Sequence, residues 1–408
     1  MEVAIIGGGI AGLSLAINLH QRGIPCHVYE SIPDPKELGV GLTLLPHGMR
    51  ELTRLGVAGA LQAVGGEIRE SLFFNRFGQL AYKEPRGRQA GYEYPEVSIS
   101  RGVLHMALYQ AARMQLGAGR ITTDCHCVAV EQEDGGVTLR MRTSSGAMRE
   151  PARADVAIAC DGIHSAVRKQ FYPDDRVVYA GINSWRGVTR QKPVLDGKSW
   201  IRIGSMRRGA MVIYPIEGKL DAQGNQLVNW IAWLQSDSMQ RNDWNKQGRL
   251  EDFLPYYADW KFDWADVPEM LRRADVILEL PLVDKDPLDR WTFGRVTLAG
   301  DAAHPMYPRG SNGAAQALID VRTLAELLAN GGDPAAALKA YEEARLGPTS
   351  AVVRTNRNSP PDFINMKVEE LTGDRPFQNL DDYITQDELR ALSERYKRIA
   401  GFGLKDLR

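Results

Sequence analysis

MEVAIIGGGIAG, residues 1–12, together with the eighteen residues that run from Gly12 to Glu30, is the stretch whose reading decides the fold. Residues 2–6 form a short apolar, β-branched run, the pattern of a strand buried on both faces. The run breaks into Gly7-Gly8-Gly9-Ile10-Ala11-Gly12, an amphipathic segment follows over 13–22, and Gly23 closes it. A second apolar run over 24–29 ends on the acid Glu30. Strand, glycine turn, helix, strand and acid stand in the order that a dinucleotide-binding βαβ unit requires. Gly7 permits the tight exit from the strand, Gly9 lets the backbone approach a pyrophosphate, and Gly12 lets helix and strand pack closely. Glycine triplets also occur in plain turns; the strands, helix and acid around this one distinguish it.

The chain is 408 residues long, enough for two domains, with 44% hydrophobic and 25% charged residues, the balance of an ordinary globular protein. A formal net charge of −1 gives no reason to expect nucleic acid or an anionic membrane as partner. No apolar run reaches the length of a membrane span, and the glycines interrupt any signal-like start. Cys26, Cys125, Cys127 and Cys160 form no CxxC pair, and Cys125-His126-Cys127 is too tight for usual zinc spacing. Reduced thiols in a cytoplasmic protein without a metal site are therefore expected.

Further along, the pattern predicts a glycine-bearing apolar stretch over 38–45 and a helix over about 47–55. Strands follow over 72–82, turning at Phe77-Gly78, then a loop over 85–95 and a helix over about 103–116. Strands are expected over 121–131 and 137–143 around Asp134-Gly135-Gly136, and again over 154–160. From 181 to about 282 the character changes: seven of the eight tryptophans lie between Trp185 and Trp264, among strand-like runs. A separate sheet with an aromatic-rich face is expected there, its rings serving as core or as a ligand platform. A strand over 295–299 leads through a proline-marked loop into an alanine-rich helix over 314–328. Residues 349–357 are read as helix, Ser359-Pro360-Pro361 as a breaker, and 386–399 as a charged helix in the tail.

Two later segments carry chemistry. Asp161-Gly162-Ile163-His164-Ser165-Ala166-Val167-Arg168 lies where a strand ends and a helix begins; its acid can accept from hydroxyls, or simply cap the turn. Gly300-Asp301 ends another strand, and Asp301 there can hold the polyol of a cofactor. The 308–313 loop, Pro308-Arg309-Gly310-Ser311-Asn312-Gly313, can lay bare N–H groups against a flat ring, with the positive end of the next helix behind it. His304 lies within this segment and reads as a structural hydrogen-bond partner rather than an acid or base.

On these three signatures, in this order, and on Ser100-Arg101-Gly102-Val103-Leu104, the chain resembles the single-component FAD-dependent aromatic hydroxylases, the para-hydroxybenzoate hydroxylase superfamily, over roughly residues 1–358. Its local texture is most similar to the phenazine-carboxylate monooxygenase branch, in Ser184-Trp185-Arg186-Gly187, Tyr214-Pro215, the 249–255 segment and Met306-Tyr307-Pro308. The resemblance implies an α/β fold: a Rossmann-like FAD-binding domain, an interleaved β-sheet substrate domain and a C-terminal helical segment. The FAD-binding domain would comprise 1–72, 98–172 and 284–350, the substrate domain 73–97 and 173–283, and the C-terminal segment 351–408.

The implied activity is a monooxygenase that uses NAD(P)H and O2 to hydroxylate an aromatic or N-heteroaromatic acid through a flavin C4a-hydroperoxide, with or without decarboxylation. The implied cofactor-binding residues are Gly7, Gly9, Gly12, Glu30, Arg101, Cys127, Asp161, Asp301, Pro308, Gly310, Asn312 and Gly313. Trp185, Tyr214 and Trp230, with Met306 and Pro308 beside the flavin, are the substrate-stacking candidates. No acid or base stands out; Tyr214 and His47, where the family often has Asn, are the candidates, and His47 reads rather as a spacer facing flavin or solvent than as an acid or base. The loop reads Gly-Ser-Asn-Gly where many relatives have Gly-Gln-Gly, so donors to the ring differ, and Arg309 is expected either to meet an anionic substrate or to be solvated. A small aromatic substrate and O2 are the expected partners, in a monomer or homodimer. Two other readings are an FAD-dependent oxidase or dehydrogenase, and a non-catalytic flavin-fold protein.

Overall fold

The computed structural model describes residues 1–36, 40–133, 135–237, 239 and 247–405. Leu38 and Gly39 of the glycine-bearing stretch, Asp134 of the hairpin turn and Trp244 of the aromatic region lie outside the described residues. The apolar run after Met1 forms the strand Val3–Ile6, buried throughout because sheet neighbours flank it and helices cover it. It pairs in parallel with Cys26–Tyr29 on one side and with Val156–Ala159 on the other, Val3 lying opposite both Cys26 and Val156. The sheet order is Thr292–Phe293, Val296–Leu298, Val156–Ala159, Val3–Ile6, Cys26–Tyr29, Ile121–Thr122. The chain leaves the central strand toward one flank and later returns on the other, so the strand order reverses between Val3–Ile6 and Val156–Ala159 while the strands stay parallel. Ligands of open α/β sheets bind at the carboxyl ends of strands at such a point. Gly7 and Asp161 both lie there.

Helix Ile10–His20 is buried over 12–19 and packs between Arg101–Leu116 and Gly313–Ala329. A second sheet runs Ile277–Lys285, Val177–Gln191, Gln226–Gln235, Gly209–Pro215, Ser199–Ser205, Glu70–Phe74, Leu80–Pro85. It is antiparallel except where Ser199–Ser205 runs parallel to Glu70–Phe74. The period of two sends alternate residues to opposite faces. One face gathers Trp185, Met211, Ile213, Trp230 and Ala232 under Phe253 and Tyr257. The other gathers Trp200, Val212, Tyr214, Ile231 and Trp233 with Tyr307. The aromatics are thus shared between two faces, not collected on one.

Differences from the sequence expectation have physical causes. The 349–357 stretch is the end of a 25-residue helix, Pro334–Asn358, which runs through Pro348. Its buried residues Leu338, Tyr341, Arg345, Thr349, Val352, Val353 and Asn356 keep helical spacing across the proline, so packing outweighs the lost N–H. An unforeseen helix, Phe363–Thr372, starts directly after the proline pair. Helix Gln386–Ile399 opens with a capping box between Thr385 and Glu388. Ile364, Val368 and Leu389 pack on Phe73 and Tyr82, so the C-terminal segment covers the edge of the second sheet. All four cysteines are free thiols. Among the described residues no helix is long and apolar enough to cross a membrane.

Candidate active site

At the switch point the backbone forms a cradle whose glycines fall into two kinds. A Cβ on Gly7 would lie 2.5 Å from the Cys160 carbonyl oxygen, and one on Gly12 would lie 1.9 Å from the Gly7 oxygen, so close packing demands both glycines. Gly9 and Gly162 differ, because an added Cβ meets nothing within 4 Å at either. Gly9 is also the N-cap of helix Ile10–His20, and no side chain caps that end. Open space in front of uncapped N–H groups at a helix's positive end fits the pyrophosphate of FAD.

Glu30 stands at the edge of this cradle. Its Oε2 accepts from the Gly8 N–H at 2.5 Å and its Oε1 from the Ile32 N–H at 2.7 Å, which fixes the carboxylate and leaves lone pairs for ribose hydroxyls. His105, which sequence reading passed over, donates from Nε2 to the Gly8 carbonyl at 2.7 Å. It lies on helix Arg101–Leu116, whose first residue, Arg101, is exposed.

Across the cradle, Asp161 Oδ2 accepts from the Ala166 N–H at 2.9 Å, while its buried Oδ1 has no hydrogen-bond partner. Burial pushes this carboxyl above its usual range. An orphaned acceptor at the mouth of the cradle matches a hydroxyl donor on the cofactor. Cys127 sits beside it: burial, then the charge of Asp161, pushes the thiol up to about 12, which makes it an unreactive neighbour. Asp301 is exposed on the single turn Gly300–Ala302. That turn is anchored by the buried Arg168, which donates to the carbonyls of Ala302 at 3.2 Å and Ala303 at 2.9 Å and pairs with Asp175 at 2.8 Å. A Cβ on Gly300 would stand 3.1 Å from that of Ala11 and 3.3 Å from that of Ala317, so this turn, the glycine cradle and helix Gly313–Ala329 meet closely. His304 bonds through Nε2 to the buried Asp320, whose other oxygen accepts from Arg345 at 2.8 Å. It is a structural partner.

The 308–313 loop corrects two expectations. Arg309 is buried and paired rather than solvated: it donates to Asp362 Oδ2 from Nε at 3.2 Å and Nη2 at 2.5 Å, while Arg202 lies 3.1 Å from Oδ1. Asn312 does not offer its side chain to a ring. Its Oδ1 accepts from His47 Nε2 at 3.0 Å, and its Nδ2 donates to the Gly310 carbonyl at 3.1 Å and to Tyr396 Oη at 2.9 Å. The loop is a glycine loop because of its neighbour, since a Cβ on Gly310 would stand 1.5 Å from the Tyr396 hydroxyl. Pro308 is exposed, and Gly313 is open, with Met306 and Asp301 just within 4 Å of an added Cβ.

His47 is fully buried, stacked parallel on Phe402 with ring centroids 4.9 Å apart. Burial is the main cause that lowers its pKa to about 3. It is neutral at ordinary pH and does not serve as an acid or base there. Tyr214 is also buried, and burial raises its phenol above the usual value, against the opposing pull of Arg186 and a hydrogen bond with Asn229. It can donate a hydrogen bond but not act as a base.

Trp185 and Trp230 are not brought to Tyr214. They lie on the opposite sheet face, Trp185 stacked on Phe253 at 5.1 Å and Trp230 fully buried with its indole N–H on Thr189 Oγ1 at 3.1 Å. As substrate platforms they are corrected to core residues. The face that carries Tyr214 carries Arg186 instead, opposite Ile231. Its Nε is buried without a hydrogen-bond partner, and burial lowers its pKa. Tyr214 and Arg101 act on it electrostatically, and no carboxylate pairs with it among the described residues. Its charge beside Trp185, inside a strand-like run, is the signal available in the sequence.

The chain is similar to known proteins over most of its length. The family model described as FAD binding domain matches residues 1–356. The chain is 39% identical over 363 residues to the phenazine 1,6-dicarboxylic acid hydroxylase of Lysobacter antibioticus, covering 88% of this chain and 89% of that one. It is 35% identical over 369 residues to a 3-amino-4-hydroxybenzoate 2-monooxygenase of Streptomyces platensis, covering 89% and 88%. Klebsiella pneumoniae HpxO complexed with FAD and uric acid shares the fold, with a TM-score of 0.74 at 23% identity over 100% of this chain and 97% of the other.

Proposed function

The chain belongs to the FAD-dependent aromatic hydroxylases, and we propose that it hydroxylates an aromatic or N-heteroaromatic acid whose carboxylate is held by Arg186. The observation that carries this reading is the half-buried guanidinium, whose Nε is buried without a hydrogen-bond partner. A charge partly withdrawn from water gains from a counter-charge, the neighbouring Arg101 has the same sign, and no acid of the described chain pairs with it. The missing anion is supplied by the ligand. Two relatives point the same way, their names specifying a phenazine dicarboxylic acid and an aminohydroxybenzoate.

FAD, when bound, would supply the redox chemistry that activates O2, with NAD(P)H as reductant. The chain's own residues do the rest. Gly9 and the first turn of helix Ile10–His20 receive the pyrophosphate, Glu30 and Asp161 accept from hydroxyls, and Asp301 borders the ribityl side. Pro308, Gly310 and Gly313, with Arg101 and Cys127 farther out, complete the proposed cofactor set; Asn312 contributes by holding the loop rather than by touching the ring. Arg186 orients the acid, Tyr214 offers its hydroxyl, and Met306 lies beside the loop. The apolar face with Trp200 and Trp233 keeps water from the reacting carbon. We propose the corresponding division into an FAD-binding part and a substrate part; the second sheet itself starts at Glu70 and ends at Lys285.

The test replaces Arg186 by Gln and compares an aromatic carboxylate with its carboxamide. A charge-assisted hydrogen bond is worth about 1.5–3 kcal/mol. The acid should therefore lose roughly 10- to 100-fold in kcat/KM, and the amide little. Equal losses for acid and amide would overturn the assignment. The product mass separates oxygen insertion from exchange of carboxyl for hydroxyl.

A further inference from the structure

A cavity of about 310 Å³ opens between the end of helix Pro334–Asn358, the turn at the proline pair and helix Gln386–Ile399. It is not part of the FAD cradle or the Tyr214 face. Phe363, Leu392, Ile399 and the ring of Tyr396 give it apolar walls, and Arg354 and Arg395 stand in its lining. No carboxylate lines it. Both arginines are exposed and have no ion pair among the described residues, whereas Arg357, on the same helix as Arg354, is paired with Asp284. Its size is at the lower end of small-ligand pockets. Apolar walls take a ring, and two unpaired guanidiniums take an anion in forked geometry.

From this combination we infer that the cavity is a second binding site, for an aromatic carboxylate, separate from the one at Arg186. Tyr396 connects it to the cofactor loop. The hydroxyl of the same residue accepts from the Asn312 side-chain N–H at 2.9 Å, donates to Asn356 Oδ1 at 2.7 Å and abuts Gly310. A ring bound there presses on the residue that sets the 308–313 loop, so occupancy is transmitted to the flavin's surroundings. The site stands on its own lining and does not depend on Arg186 being the substrate anchor.

The experiment titrates the FAD-loaded full chain with 2-naphthoate by calorimetry, in wild type, in Arg354→Gln/Arg395→Gln and in Arg186→Gln. Because both cavity arginines are exposed and unpaired, the double variant keeps its fold, which its bound FAD spectrum verifies. The expected result is a binding phase weakened tenfold or more by the double substitution and preserved in Arg186→Gln. A titration that the double substitution leaves unchanged, or no binding to wild type, overturns the site. Loss of all binding in Arg186→Gln alone also overturns it, while leaving the proposed substrate anchor in place.

Discussion

Replacing Asp362 by Asn should both destabilise the protein and loosen its hold on FAD. Asp362 is 2% exposed and faces Arg202, 1% exposed, and Arg309, 9% exposed. Arg202 in turn lies over Trp200 at 4.9 Å and Trp233 at 5.6 Å, so it has no route to water. Burial alone would push the Asp362 carboxyl up; Arg309 and Arg202 more than offset this and hold it below the usual range. Breaking a buried pair strands a charge at a cost of about 3–5 kcal/mol, and here two like charges remain together. Urea unfolding of the FAD-free protein should therefore show a loss of that size. FAD should bind roughly tenfold or more weakly, a change of ~1.4 kcal/mol or more, because Arg309 belongs to the 308–313 loop. Removing both charges, as Asp362→Asn with Arg309→Met, should recover part of the stability. A loss under about 1 kcal/mol is the size found for solvent-screened surface pairs, and would refute the account of a dry network.

Three further outcomes follow from the same geometry. Gly9→Ala should fold normally, since its Cβ meets nothing within 4 Å, yet bind FAD roughly tenfold or more weakly (~1.4 kcal/mol), whereas Gly12→Ala, 1.9 Å from a backbone oxygen, should fail to fold; expression and flavin titration separate them. His47 is depressed in the folded state to about 3 from 6.5, so the unfolded chain binds the extra proton between those values and stability falls as pH drops below 6.5. His47→Asn should flatten that acid limb in pH-dependent unfolding. Arg168→Met should free the turn that carries Asp301 and cost about 3–5 kcal/mol, read by thermal unfolding with and without FAD; a variant that keeps wild-type stability would show the anchor to be unimportant.

The cofactor half of the fold was legible because its constraints are local. A strand, a glycine turn and a helix are written in consecutive residues, and Gly7, Gly12 and Glu30 meet partners within that unit or just across the switch point. Asp161 and Asp301 were legible as acids at strand ends. The substrate half was harder, because one residue of register decides a side chain's face. Trp185 and Arg186 are adjacent, and the aromatic one, the more conspicuous in sequence, points into the core. The C-terminal contribution could not be read locally at all. Tyr396, Asp362 and Phe402 reach Gly310, Arg309 and His47 across 40 residues or more of chain, and their residue types alone give no sign of it. Asn312 and His47 were named as site residues, but their partners turned a flavin-ring donor and a candidate base into each other's support.

The central claim is best tested by following NAD(P)H oxidation by the purified yellow protein across a panel of aromatic acids in isotopically labelled O2, with peroxide measured in parallel. The account predicts that one acid accelerates oxidation sharply, that labelled oxygen enters the ring product, and that little peroxide forms. Product and peroxide appearing without NAD(P)H, as an oxidase would give, or reduction that no aromatic acid stimulates, would contradict it.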